Sequence, residues 1–114
     1  MNAQTQDQKL EQTLGFARSA ASEGRVPGAQ SYLKDAREYA AKVGVEVPEA
    51  TLQEVEQTAY RSGVEAALGF ARSAASEGRV PGAQSYLKDA REYAAKVGLD
   101  IAERVQQIES TLKK

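Results

Sequence analysis

The chain has no cysteine, no histidine and no tryptophan, one methionine and three prolines in 114 residues. Without cysteine there is no disulfide and no thiol nucleophile, and without histidine no imidazole base and no common zinc or haem ligand. Only carboxylate-based metal binding survives. Charge of one sign is also missing, since 15 Lys/Arg stand against 16 Asp/Glu for a net −1. That balance argues for neither a nucleic-acid binder nor a strongly acidic partner. No long apolar run occurs: the longest is the six residues Ala66 to Ala71. A secretory or membrane-spanning segment needs more, so the expectation is a soluble, cytoplasmic chain.

What the sequence does contain is a repeat. Leu14 to Gly44, LGFARSAASEGRVPGAQSYLKDAREYAAKVG, recurs letter for letter as Leu68 to Gly98, 54 positions later. The identity extends to positions such as Arg18/Arg72, Gln30/Gln84 and Lys34/Lys88. Surface substitutions usually change stability by less than about 0.5 kcal/mol, so folding supplies no force that would hold such positions identical. The flanks are related but divergent. Val45–Glu49 aligns with Leu99–Glu103, and once Ala50 is skipped Thr51–Thr58 aligns with Arg104–Thr111. An identical block with abrupt borders inside drifted flanks points to a tandem duplication made by engineering, with recent natural duplication or gene conversion as the alternative.

Each cassette reads as an αα-hairpin. Leu10, Leu14, Ala17 and Ala21 recur at helical spacing, with Phe16 and Ala20 widening the stripe. Thr5 and Gln8 are placed as a capping box, and Met1 to Gln6 as a frayed start. The first helix should run to Glu23, with Gly24 as the C′ residue that needs positive φ. Pro27 is suited to the first turn of a second helix, Pro27 to Val43, which carries Leu33, Ala36, Ala40 and Val43 on one face. So short a link folds the second helix back antiparallel to the first, and Gly44 ends it.

The connector Val45 to Ala67 carries five Glu and one Arg, against a net +2 for each cassette. A third helix is expected from Val47 to Glu77, with Pro48 in its first turn. Gly63 is a potential break, but Leu52, Val55, Ala59, Ala66 and Phe70 stay in helical phase across it, which predicts one continuous helix. The second cassette repeats the first. Asp100 with Glu103 should then cap a final helix bearing Ile101, Val105, Ile108 and Leu112.

The expected fold is therefore all-α: a helical repeat or bundle of two identical αα-hairpins joined by a long shared helix, plus a C-terminal helix. That makes five helices, or six if the chain breaks at Gly63. One domain of two repeat units is expected, 8–61 and 62–114, with alanines letting backbones approach and Phe16, Tyr32, Leu33 and Tyr39 filling volume. The shared long helix resembles the connectivity of the spectrin repeat, in units about half as long. Leu14-Gly15, Gly24, Ala29 and Ala36 resemble the signposts of tetratricopeptide-type hairpins, although the 54-residue period differs from the roughly 34 of that family. The resemblance implies hairpin shape and carries no binding residues with it.

Four features invite a functional reading, each against a plainer one. Gly24–Gly28 precedes a helix N-terminus, which suits anions, yet an interhelical turn explains every residue. Arg25, Lys34 and Arg37, repeated as Arg79, Lys88 and Arg91, form the candidate binding face, a pair of basic patches able to follow a phosphate backbone. Asp35 and Glu38 among them favour an ordinary solvated face. Tyr32 and Tyr39, with Tyr86 and Tyr93, would serve as stacking platforms or as core-edge filler. Glu46, Glu49, Glu54 and Glu56 lack the Glu-x-x-His partner of a di-iron bundle and suit the exposed N-terminal half of a helix. No catalytic, metal or cofactor-binding residue emerges, and no cofactor or obligatory partner is implied. The function expected is a non-enzymatic scaffold; the alternative is a natural module presenting a helical face to a peptide or nucleic acid, of which nucleic acid is the less favoured. Identical hairpins also make self-association by domain swapping accessible, with a hinge expected near Gly63.

Overall fold

The computed structural model describes the backbone of residues 2–113 and the side chains of residues 8–113. Among them the chain is all-helical: α1 (Asn2–Ser22), α2 (Val26–Val43), α3 (Glu49–Ser76), α4 (Val80–Val97) and α5 (Ala102–Leu112). It divides into two compact units, Met1–Ala59 and Tyr60–Lys114.

The helix ends obey local chemistry. Gly24 takes φ 75°, the Arg25 amide donates to the Ala20 carbonyl at 2.9 Å, and the Gly24 amide to that of Ala21 at 3.1 Å. Those two bonds satisfy carbonyls that a helix end otherwise leaves open. The Gly78 turn repeats both bonds from Arg79 and Gly78 to Ala74 and Ala75. Gly44 and Gly98 close α2 and α4 in the same left-handed conformation.

Other boundaries differ from expectation. α1 is helical from Asn2, so Thr5 lies inside the helix and does not cap it; Met1 lies outside the described residues. α3 begins at Glu49, with the Pro48 carbonyl accepting from the amides of Thr51 and Leu52. Proline therefore precedes the first turn instead of occupying it, because its carbonyl is usable there while its missing N–H costs nothing. At α5 the N-cap is Ile101, whose carbonyl accepts from Val105. Asp100 stands one residue earlier, and its carboxylate accepts from the Ala102 amide at 3.1 Å.

Gly63 is helical and buried within an unbroken α3. Continuity holds, but the residues that carry it are not those the periodicity picked. After Leu52, Val55 and Ala59 the buried stripe runs through Val64, Ala67, Leu68 and Ala71. Ala66 is only half-buried, and Phe70 is 56 % exposed.

In the first unit the buried apolar side chains are Leu10, Leu14, Ala17, Ala20 and Ala21 of α1, then Val26, Ala29, Leu33, Ala36 and Ala40 of α2, then Leu52, Val55 and Ala59. The second unit buries the equivalent set, from Val64 and Leu68 through Leu87 to Val105 and Ile108, with Tyr93 and Leu112 packed against it. Alanine dominates both cores, so close packing of thin helices takes the place of large side chains. Among the described residues Thr13 is the buried polar side chain, and its hydroxyl donates to the Lys9 carbonyl at 2.8 Å. Phe16 and Tyr32, expected to fill volume, lie outside at 47 % and 37 % exposure.

Candidate functional site

Within each unit the three basic residues of the candidate face are spread along one helix. In the first unit Arg25 precedes α2, while Arg37 lies 12 residues on, roughly 18 Å along the axis at 1.5 Å per residue. Only Lys34 and Arg37, three apart, are neighbours on the helix surface. The second cassette repeats this spacing.

Each of the four arginines already has a carboxylate. Arg25 pairs with Glu23, and Arg79 with Glu77 at 2.6 Å. Arg37 reaches Glu49 at 3.0 Å, tying α2 to the start of α3, and Arg91 reaches Glu109 at 3.5 Å, tying α4 to α5. Among the described residues Lys34 and Lys88 take no ion-pair partner. Exposed pairs of this kind contribute at most about 1 kcal/mol, but they neutralise the charge a phosphate would need. The same logic places Arg104 of α5 on Glu65 of α3.

Side-chain hydroxyls are engaged with their own helices: Ser22 donates to Ser19, Thr58 to Glu54 and Ser76 to Ser73. Such bonds are the usual habit of Ser and Thr within helices and leave the oxygens unactivated. Among the described residues no three Asp or Glu side chains come close enough to share a metal ion.

The tyrosines separate into two roles. Tyr32 and Tyr86 stand on the surface against Phe16 and Phe70, with ring centroids 5.4 and 5.3 Å apart and tilts of 39° and 36°. Tyr39 and Tyr93 are half-buried at the core edge. Tyr93 meets the buried Tyr60 at 5.9 Å, and burial, aided by Asp89, Glu92 and Tyr60, raises its phenol above the ordinary value of 10.0. Position 6, which corresponds to Tyr60 in the first unit, is Gln.

The exposed Phe–Tyr pair is the surface feature that the sequence reading missed. A signal was present: at 100° per residue Phe16 falls about 130° from the centre of the Leu10–Leu14–Ala17–Ala21 stripe. Beside that pair lies a cleft of about 200 Å³ between Phe16, Ala20, Arg25, Gly28 and Tyr32. That is below the roughly 300–1,000 Å³ usual for small-molecule pockets. A larger open groove, about 490 Å³, runs between α4 and α5 over Ala94, Leu99, Ile101 and Val105, with Arg91 and Glu109 on its rim. Its floor is apolar, and its only charged groups are that ion pair.

Comparison with protein-family models, with curated proteins and with solved structures finds no match to this chain.

Proposed function

We propose that this chain is a non-catalytic helical scaffold, made by copying an αα-hairpin intact. The observation that carries this reading is the 31-residue identity, exposed positions included. It is supported by the surface chemistry, in which arginines pair with glutamates of their own unit and hydroxyls bond within their own helices. A source genome encoding both copies as they stand would remove the engineered origin and leave the scaffold role. Self-association by hairpin exchange belongs to the same reading, because each hairpin carries the contacts the other needs.

A second reading, a binding module, is favoured by the two exposed aromatic pairs Phe16–Tyr32 and Phe70–Tyr86, repeated at a fixed interval. Bases or apolar peptide side chains stack on such surfaces. Titration with generic single-stranded RNA and DNA at low salt separates the readings. The scaffold gives no response, whereas a module gives a salt-dependent signal lost on substituting Phe16 and Phe70 by alanine.

A further inference from the structure

The two cassettes control for each other. The turns Glu23–Gly24–Arg25 and Glu77–Gly78–Arg79 have one sequence, and each continues Val-Pro-Gly. Their glycines adopt φ 75° and 74° and the same closing bonds from Gly and Arg to the helix before them; the second turn adds short-range bonds from the Glu77 amide to Ala74 and from the Val80 amide to Gly78. They differ in the residue that follows. Val26 is 3 % exposed, while Val80 is 39 % exposed. A buried side chain thus anchors the first residue of α2, and the matching anchor is missing from α4. Gly63, the hinge expected from the sequence, lies buried inside continuous α3 and offers no turn to open.

We propose that the α4–α5 segment exchanges between two copies of this chain, swinging out at Glu77–Gly78–Arg79 and packing on the other copy's α3. The proposal rests on the duplicated-scaffold reading and names which element leaves and where it pivots. Nothing that α4–α5 buries is lost in the exchange. Leu87, Ala90, Val105 and Ile108 meet the same Val64, Leu68 and Ala71 surface, now supplied by the second copy. Tyr93 again covers Tyr60, and Arg104 again reaches Glu65. Only the turn changes conformation, and the two exchanged interfaces are related by a two-fold axis, which closes the dimer. Closure within one chain has an effective concentration of order millimolar. Exchange therefore gains ground when unfolded chains are refolded near that concentration and recedes on dilution.

Because the chain has no cysteine, crosslinks report on the exchange without background. A Cβ at Gly82 lies 3.8 Å from that of Ala74, and one at Gly28 lies 3.7 Å from that of Ala20; both suit a disulfide, whose Cβ atoms sit about 3.5–4.5 Å apart. Ala74→Cys/Gly82→Cys spans the proposed hinge, and Ala20→Cys/Gly28→Cys spans its twin. Each variant is refolded at about millimolar and at micromolar concentration, oxidised, and run on a non-reducing gel. The unsubstituted chain, refolded alike and sized by light scattering, reports exchange free of any substitution. The expected result is a dimer of the parent after concentrated refolding, covalently linked in the 74/82 variant and not in the 20/28 variant. A dimer linked through 20/28, alone or as well, overturns the hinge assignment while leaving exchange intact. A parent that stays monomeric after concentrated refolding overturns exchange altogether.

Discussion

Five glycines stand inside helices, and two of them, Gly15 and Gly69, have no packing reason to be glycine. A Cβ built at either position meets no atom within 4 Å, and neither has positive φ. Gly15→Ala and Gly69→Ala therefore remove backbone freedom from the unfolded chain without creating a clash, and each should stabilise by about 0.8–1 kcal/mol. The sites lie in different units and share no partners, so their effects should add, to about 2 kcal/mol. For a domain of this size 1 kcal/mol corresponds to roughly 4 °C in Tm, which makes the double variant melt about 8 °C higher. Gly44→Ala is the control. Its φ of 72° penalises any Cβ, and the variant should lose about 1 kcal/mol or more. Circular dichroism melts and urea titrations of the parent and the four variants measure these shifts. A double variant that melts at or below the parent, with Gly44→Ala unchanged, would refute the reasoning, since neither backbone entropy nor left-handed strain would then govern these positions.

Leu33 and Leu87 occupy equivalent core positions at 3 % and 2 % exposure, so Leu33→Ala and Leu87→Ala should each cost about 2–5 kcal/mol in urea unfolding. A fragment ending at Gly44 keeps the first hairpin and loses Leu52, Val55 and Ala59, which are buried in that unit. Such a fragment should show a broad, shallow melt, and one as sharp and as late as the parent's would contradict the dependence of the hairpin on α3. Tyr93, whose phenol titrates above 10.0, favours the neutral form in the folded state. Its contribution is complete below pH 10 and fades as pH rises through the raised value, because the unfolded chain ionises first. Absorbance titration at about 295 nm should show a late-titrating phenol, absent from Tyr93→Phe.

Much of the fold was legible because the signals are local. Gly24, Gly44, Gly78 and Gly98 end helices through a backbone conformation that only glycine adopts cheaply, and all four have it. The Leu10–Leu14–Ala17–Ala21 and Leu33–Ala36–Ala40 stripes are buried as their spacing implies. The candidate site was less legible. Six basic residues could be counted, but the glutamates that neutralise four of them lie 2 to 18 residues away. Where a neighbour comes from another helix, only the packed chain decides it. The outward position of Phe16 is instead a local matter, since its angle on α1 opposes its apolar character.

By itself, then, the sequence determined the helical class and the hairpin with its stops, because propensity, periodicity and glycine φ act within a few residues, and it displays the 31-residue repeat directly. Tertiary structure decided that Arg37 reaches Glu49, that Arg91 reaches Glu109 and that Tyr93 finds Tyr60. Val26 and Val80 make the point most directly: each lies in an identical 31-residue block, yet one is buried and the other open. Burial depends on what the rest of the chain places nearby, and two identical segments in different surroundings need not share it.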